Sequence, residues 1–503
     1  MISFFVALIA LVAGYFLYGR VIERIVKPTD TPTPAVQQAD GVDYVVLPGW
    51  KIFMIQFLNI AGTGPIFGAI MGAWYGPYAY LWIVLGCIFA GAVHDYLVGM
   101  MSTRHQGAGL PELIGTYMGS TAKTIMLLFS ILVLMMVGVV FVYSPAIILS
   151  NIWGSKLGWI IGIFLYYVLA TLLPIDKIIG RVYPLFAFSL LFMAAALMVG
   201  LCVVWPNLPE LWTDMSQYSY NLSAAQLGLE SFQEINPIFP CMFITIACGA
   251  ISGFHATQSP LMARCLTSEH QGRPIFYGAM ITEGVVALIW ATVSMYFFYY
   301  GGWREVCSPE VAAQFLQQID GGKTLIQYFD APSVVKHVCE GWLGWFGGLL
   351  ALLGVVAAPI TSGDTAFRSA RLIIADFMHL SQRPIVNRLG VSLPMFAVAI
   401  ALLVWQMESP NGFNVLWQYF GWSNQTLAAF ALWTATLYLY RNQRNYFVTL
   451  VPALFMVMVT VTFLFVSSLA FGMSMPVSLT IGGAATIASL LAFIRCKKNT
   501  QRP

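Results

Sequence analysis

The chain has 503 residues, 59% of them hydrophobic and only 9% charged, with mean hydropathy +0.78 and a formal net charge of +3. A soluble domain carries about 25% charged residues, so the composition excludes a set of soluble domains and leaves one polytopic membrane domain. The net charge says little about partners beyond the lipid bilayer, and nothing in the chain points to nucleic acid.

Residues Ile2 to Tyr18 are apolar, and basic residues (Arg20, Arg24, Lys27) follow them instead of preceding them. This predicts a retained first span and not a cleaved leader. A span needs roughly 20 apolar residues. Spans are predicted near 2–19, 51–75, 79–101, 122–148, 156–173, 182–205, 238–257, 274–300, 342–363, 388–406, 413–440, 446–469 and 475–494, thirteen in all. With the N-terminus outside, twenty of the 24 Lys and Arg residues fall on the inner side. That bias predicts a periplasmic N-terminus and a cytoplasmic C-terminal tail in a bacterial inner membrane. Residues 28–50 carry Pro28, Pro32, Pro34 and Pro48 and read as an irregular internal segment.

Two of these spans are interrupted. The first reads Phe57-Leu58-Asn59-Ile60-Ala61-Gly62-Thr63-Gly64-Pro65, the second Cys248-Gly249-Ala250-Ile251-Ser252-Gly253-Phe254-His255-Ala256-Thr257-Gln258-Ser259-Pro260. Lipid cannot satisfy free backbone groups, so such breaks survive only where they line a cavity within the protein. Paired breaks in two halves point to a substrate site near the bilayer midplane. They are spans two and seven, five apart. An odd offset inverts the second unit, so spans 2–6 (51–205) and 7–11 (206–440) form two inverted repeats. Span 1 with its internal loop (1–50) precedes them. Two extra spans and the tail (441–503) follow, and the whole is one transporter domain with external loops at 206–237 and 301–341.

Gly64, Gly68, Gly72 and Gly76 recur every four residues. The stripe suits close helix packing or a sliding contact. The half-helix beginning near Gly64 offers free N–H groups and a positive dipole end, fitting a carboxylate, with Asn59 and Thr63 adding polar side chains. Ser252 and His255 in the second break complete the expected substrate-binding set. His255 can titrate near neutral pH or serve as a satisfied core histidine.

Three acidic residues lie within or at the edge of spans: Asp95, Glu283 and Asp364. Buried acids in membranes are costly and point to coupling sites. Asp95 follows His94, and adjacent helical residues diverge by about 100°. Asp364 follows Thr361 and Ser362, whose hydroxyls suit a small hard cation, although Arg368 one turn on allows a salt bridge instead. Cys307 and Cys339 both fall in the external loop 301–341 and are expected to form a disulfide. The other six cysteines show no metal-ligand spacing, and no cofactor is expected. No nucleotide-binding loop, nucleophile elbow or His-Glu-x-x-His occurs, which disfavours an enzyme.

Several stretches carry a family resemblance: Asn59 to Gly76, Gly91-Ala92-Val93-His94-Asp95-Tyr96, Ser252 to Ala256, Thr361-Ser362-Gly363-Asp364-Thr365-Ala366-Phe367-Arg368, and Phe420-Gly421-Trp422-Ser423-Asn424-Gln425. They resemble the carbon starvation protein A family of bacterial inner-membrane transporters, itself similar to the amino acid–polyamine–organocation superfamily. The resemblance implies an all-α, LeuT-like five-plus-five inverted repeat. It also implies cation-driven uptake of peptides or pyruvate during nutrient limitation, with H+ or Na+ as the coupling ion. By the same likeness, Thr361 and Ser362 would face Ala61 and Gly62 of the first break in a sodium site. Longer members carry more C-terminal membrane sequence. They commonly have a histidine where this chain has Gln56, so a proton role for that histidine does not transfer. The competing classes are a channel, a transporter-like nutrient sensor and an intramembrane enzyme.

Overall fold

The computed structural model describes residues 1–41, 43–150, 152–172, 175–213, 224–382, 384–409 and 412–500. Positions 214–223 of the expected external loop and the last three residues of the tail lie outside the described residues. Among the described residues every regular element is helical. Among the described residues eight helices are long and apolar enough to cross a membrane, or nine with the bent pair Gly49–Ile60 and Gly64–Tyr75 counted as one span. Their outward faces carry leucine, isoleucine, valine and phenylalanine side chains in the open, for example Leu128, Phe188, Val398 and Val451. In water that would be a liability, but it is the surface a lipid-facing helix presents.

The eight-to-nine count falls short of the expected thirteen spans for physical reasons. Helix Gly412–Arg441 carries Asn424, Gln425 and several hydroxyls inward. Polar groups that line a site lower the mean hydropathy of the helix that bears them. Helix Lys156–Leu172 is apolar but shorter. The expected span 342–363 belongs to the longer helix Ala331–Phe377, kinked at Gly344, whose φ of 63° is left-handed. Such a backbone is strained for a residue with a Cβ.

Ala331–Phe377 packs along Ser120–Ser150 and Ile175–Val204 and forms the middle of the bundle. Gly278–Tyr299 packs on the first helix and on both halves of the first bent pair. Phe447–Val466 packs against Gly412–Arg441 and pairs with Met475–Thr500 in a peripheral hairpin, and Met475–Thr500 is mostly exposed.

Cys307 and Cys339 are free and buried in this structure, so the expected cross-link is not formed here. The segments bearing them do lie together: a Cβ on Gly341 would sit 2.7 Å from the carbonyl oxygen of Val306. Protein isolated under oxidising conditions is expected to yield a peptide linked through Cys307 and Cys339 in mass spectrometry. The bond would close a loop of about 30 residues and add roughly 3 kcal/mol. Full alkylation of both thiols without reductant would reject it.

Candidate functional site between the two broken helices

The first break is a 55° bend between Gly49–Ile60 and Gly64–Tyr75. Its backbone is partly closed by turns: Gly62 N–H donates to Ile60 O at 2.9 Å, and Phe67 N–H to Thr63 O at 2.7 Å. Asn59 and Thr63, four residues apart across the bend, are fully buried, and neither side chain has a hydrogen-bond partner among the described residues. Buried polar groups are normally paired, so an unsatisfied amide and hydroxyl at one bend indicate a place for a ligand.

The second break runs over residues 246–252, between the short turn Phe243–Thr245 and helix Gly253–Ala263. Here the protein satisfies the backbone itself. Asn424 Oδ1 accepts from Phe254 N–H at 2.6 Å and from the Ser252 hydroxyl at 3.1 Å. Gln425 Nε2 donates to Ile251 O at 3.0 Å, and the Trp82 indole donates to Ile246 O at 3.2 Å. Asn424 thus caps the second half-helix from a neighbouring helix. The stretch Gly421 to Gln425 entered the sequence reading only as a family likeness. Its role as a splint emerges only when the chain is folded, because the residues it serves lie about 170 positions away. Ser252 is spent in this splint. Asn424→Ala leaves two buried donors unpaired and is expected to cost about 1–3 kcal/mol. Thermal melting in detergent checks this, with exposed Asn442→Ala as the control.

The two breaks touch. A Cβ on Gly64 would lie 2.2 Å from Cys248 Sγ, one on Gly68 2.7 Å from Thr245 O, and one on Gly72 2.4 Å from Ile246 Cγ1. The glycine stripe therefore receives the second break, which is its packing role. Gly76 stands apart: with φ at 63° it follows the end of the helix. Gly64 faces protein through its Cα, so any ligand must meet the half-helix from another side.

Directly after the Asn424 cap comes His255, held in a fully buried cluster. Its Nδ1 lies 2.9 Å from Asp95 Oδ2, and its Nε2 lies 3.4 Å from Glu283 Oε2. The other Asp95 oxygen meets His94 Nδ1 at 2.7 Å. His94 and Asp95, although adjacent on one helix and set about 100° apart, pair directly, and His255 takes the second carboxylate oxygen. Four titratable groups from three elements, the segments Ala92–Arg104, Gly253–Ala263 and Gly278–Tyr299, meet in a volume closed to solvent. Removing one proton from such a set leaves an uncompensated buried charge, so its proton content is tied to its surroundings.

The expected cation residues divide. Ser362 Oγ donates to Leu58 O at 3.1 Å, and a Cβ on Gly62 would lie 3.3 Å from it, so Ser362 does meet the first break. Thr361 instead donates back to Ala357 O and Ala358 O, both at 2.9 Å, within its own helix. Asp364 accepts from Tyr183 at 2.5 Å on helix Ile175–Val204. Ala61 ends the first half-helix, its N–H donating to Phe57 O at 2.8 Å.

Residues given no site role by the sequence also converge. Gln56 Nε2 lies 3.4 Å from Ser259 Oγ, and Gln56 Oε1 and Gln258 Oε1 are buried without partners among the described residues. A cavity of about 780 Å³ opens on the face that bears the loops after residues 205 and 300, lined by Phe67, Met71, Trp74, Tyr143 and Trp417 among others. From it a column of rings leads inward. Phe67–Trp417, Trp417–Phe420, Phe420–Phe141 and Phe141–Phe254 have centroids 5.9, 5.9, 6.1 and 6.2 Å apart. The column ends beside His255.

Comparisons place this arrangement among known proteins. An uncharacterized membrane protein of Haemophilus influenzae is 47% identical over 343 residues, covering 59% of this chain and 91% of its own length. The peptide transporter CstA of Escherichia coli is 27% identical and the pyruvate/proton symporter BtsT of the same organism 26%, each covering 89% of this chain and 78% of the relative. A crystal structure of the Eremococcus coleocola manganese transporter superposes with a TM-score of 0.53 at 13% identity, over 91% of this chain and 97% of that one. It shows a shared fold. The family model for carbon starvation protein CstA matches residues 1–151, 132–319 and 331–463. The chain belongs to the carbon starvation protein CstA family.

Proposed function

We propose that this protein is a secondary active transporter of the bacterial inner membrane that couples entry of a small carboxylate-bearing nutrient, pyruvate or a short peptide, to protons. The observation that carries the reading is the buried His94–Asp95–His255–Glu283 cluster, placed directly behind the cap of the second break. A membrane-buried cluster of this kind is costly and suits a proton site. The proton symporter among its relatives agrees with it. Protons are chosen over sodium because the buried titratable groups gather in this cluster, whereas the Thr361 and Ser362 hydroxyls both donate to backbone carbonyls. The N-terminus is periplasmic, and the spans form the LeuT-like five-plus-five inverted repeat, thirteen helices in all. The paired breaks support it, as does the likeness to a transporter fold.

The cargo carboxylate meets Asn59, Thr63 and the N-terminal end of Gly64–Tyr75. Their unpartnered polar atoms support this placement. A hydrogen bond to a charged group contributes about 1.5–3 kcal/mol, or roughly 10- to 150-fold in affinity. Asn59→Ala is therefore expected to raise half-saturation for pyruvate by that range in proteoliposomes while the protein stays folded and inserted. Peptide amides and pyruvate esters should compete poorly. Equal competition by an amidated substrate would reject carboxylate recognition. Uptake driven by an imposed sodium gradient and indifferent to a proton gradient would reject proton coupling in favour of Ser362 and the first break.

A further inference from the structure

The face opposite the cavity is crossed by the internal segment between the first two spans. Thr33 donates to Leu266 O, Leu47 N–H to Cys265 O at 3.4 Å, and Tyr44 OH to Gln106 O at 2.9 Å, while the Tyr44 ring lies over Arg264. The Asp40 carboxylate accepts from the Asp43 and Tyr44 N–H groups, a turn that presents Asp43 inward. Asp43, 5% exposed, meets two fully buried arginines in the C-terminal third of helix Ala331–Phe377: Arg371 Nη2 at 3.4 Å and Arg368 Nη1 at 3.9 Å.

This pairing is loose. Charge-assisted contacts of guanidinium with carboxylate normally close to about 2.7–2.9 Å, often through two bonds. Arg104 and Glu269 on the same face show that geometry, at 2.7 and 3.0 Å. Arg371 has only the distant Asp43 oxygen and the neutral amide oxygen of Gln382, and its Nε has no partner among the described residues. A buried guanidinium so poorly matched is costly as a structural element. The arginines lie just inward of the candidate site. Ser369, between them, donates to Thr257 O at 3.0 Å, two residues past His255.

We propose that Arg371 and Arg368 form an exit-side carboxylate subsite, and that Asp43 occupies it as an internal stand-in for the cargo. Arrival of the transported carboxylate displaces Asp43 and releases the strap of residues 28–48, opening the basic face. The proposal rests on the reading that the cargo carries a carboxylate.

Two readouts test it. The thermal midpoint of the purified full-length protein is followed with sodium pyruvate against equimolar sodium chloride. Half-saturation for labelled pyruvate is measured from each face in oriented proteoliposomes. Asp43→Ala is expected to enlarge the pyruvate-dependent thermal shift and to lower half-saturation on the basic face about tenfold, leaving the other face unchanged. Asp43→Asn, which keeps the shape and drops the charge, should behave alike. Adding Arg371→Gln to either should remove the gain. If both Asp43 variants match the wild type in a protein that transports pyruvate, the subsite is overturned and the transport reading stands. If the wild type transports neither pyruvate nor a short peptide, the transport reading falls. The thermal shift then decides the subsite alone: enlarged in Asp43→Asn supports it, unchanged overturns it.

Discussion

Asp95→Asn and His255→Asn are each expected to abolish proton-driven accumulation of substrate while leaving substrate exchange across the membrane in place. Asp95 bridges His94 and His255 through its two oxygens, and His255 reaches on to Glu283. Asparagine at either position keeps the approximate shape and removes the group that takes up the proton. A carrier that cannot exchange protons still moves loaded in both directions, so the inside-to-outside ratio should fall to about one while counterflow persists. Removing one member of a buried charged pair also costs about 3–5 kcal/mol, so folded, monodisperse protein is a necessary control. Accumulation at wild-type ratios in both variants would reject the cluster as the coupling site.

Gly64→Ala should stop uptake as well, for a different reason. The added Cβ would lie 2.2 Å from Cys248 Sγ and 2.5 Å from Cys248 Cβ, where no side chain fits unless a broken helix shifts. Overpacking of this kind costs about 1–3 kcal/mol, and here it pries apart the two segments that frame the site. Valine should be worse. Because both clashing atoms belong to one side chain, Cys248→Gly in the Gly64→Ala background should restore part of the uptake. Wild-type uptake by Gly64→Ala alone would show that the breaks do not meet as described.

The two breaks were readable in the sequence because glycine, threonine and proline clustered within apolar runs have few other uses in a membrane. The interrupted element 246–252 and the 55° bend after Ile60 fall where those residues predicted. Contacts between distant segments were not readable. Asn424 and Gln425 look like ordinary polar residues on an apolar helix until they are seen against the second break. The His94–Asp95 pair illustrates the same limit, since a divergence of about 100° on an ideal helix leaves open whether adjacent side chains meet, and in the folded chain they do. Thr361 and Ser362 form a matched pair in sequence, yet the Ser362 hydroxyl bonds to the first broken helix at Leu58 O while the Thr361 hydroxyl bonds to carbonyls of its own helix. Hydropathy blurred where function is densest, since site-lining helices carry the polar groups that lower it.

The most direct test of proton coupling is internal acidification. Proteoliposomes loaded with a pH-sensitive dye, with no gradient imposed and no sodium present, are exposed to external pyruvate, and protein-free liposomes report passive entry of the undissociated acid. The account predicts that pyruvate addition acidifies the lumen above that background, that the signal tracks labelled pyruvate uptake, and that Asp95→Asn abolishes it. Carrier-mediated pyruvate entry without acidification, or entry that appears only when sodium is added, would contradict it.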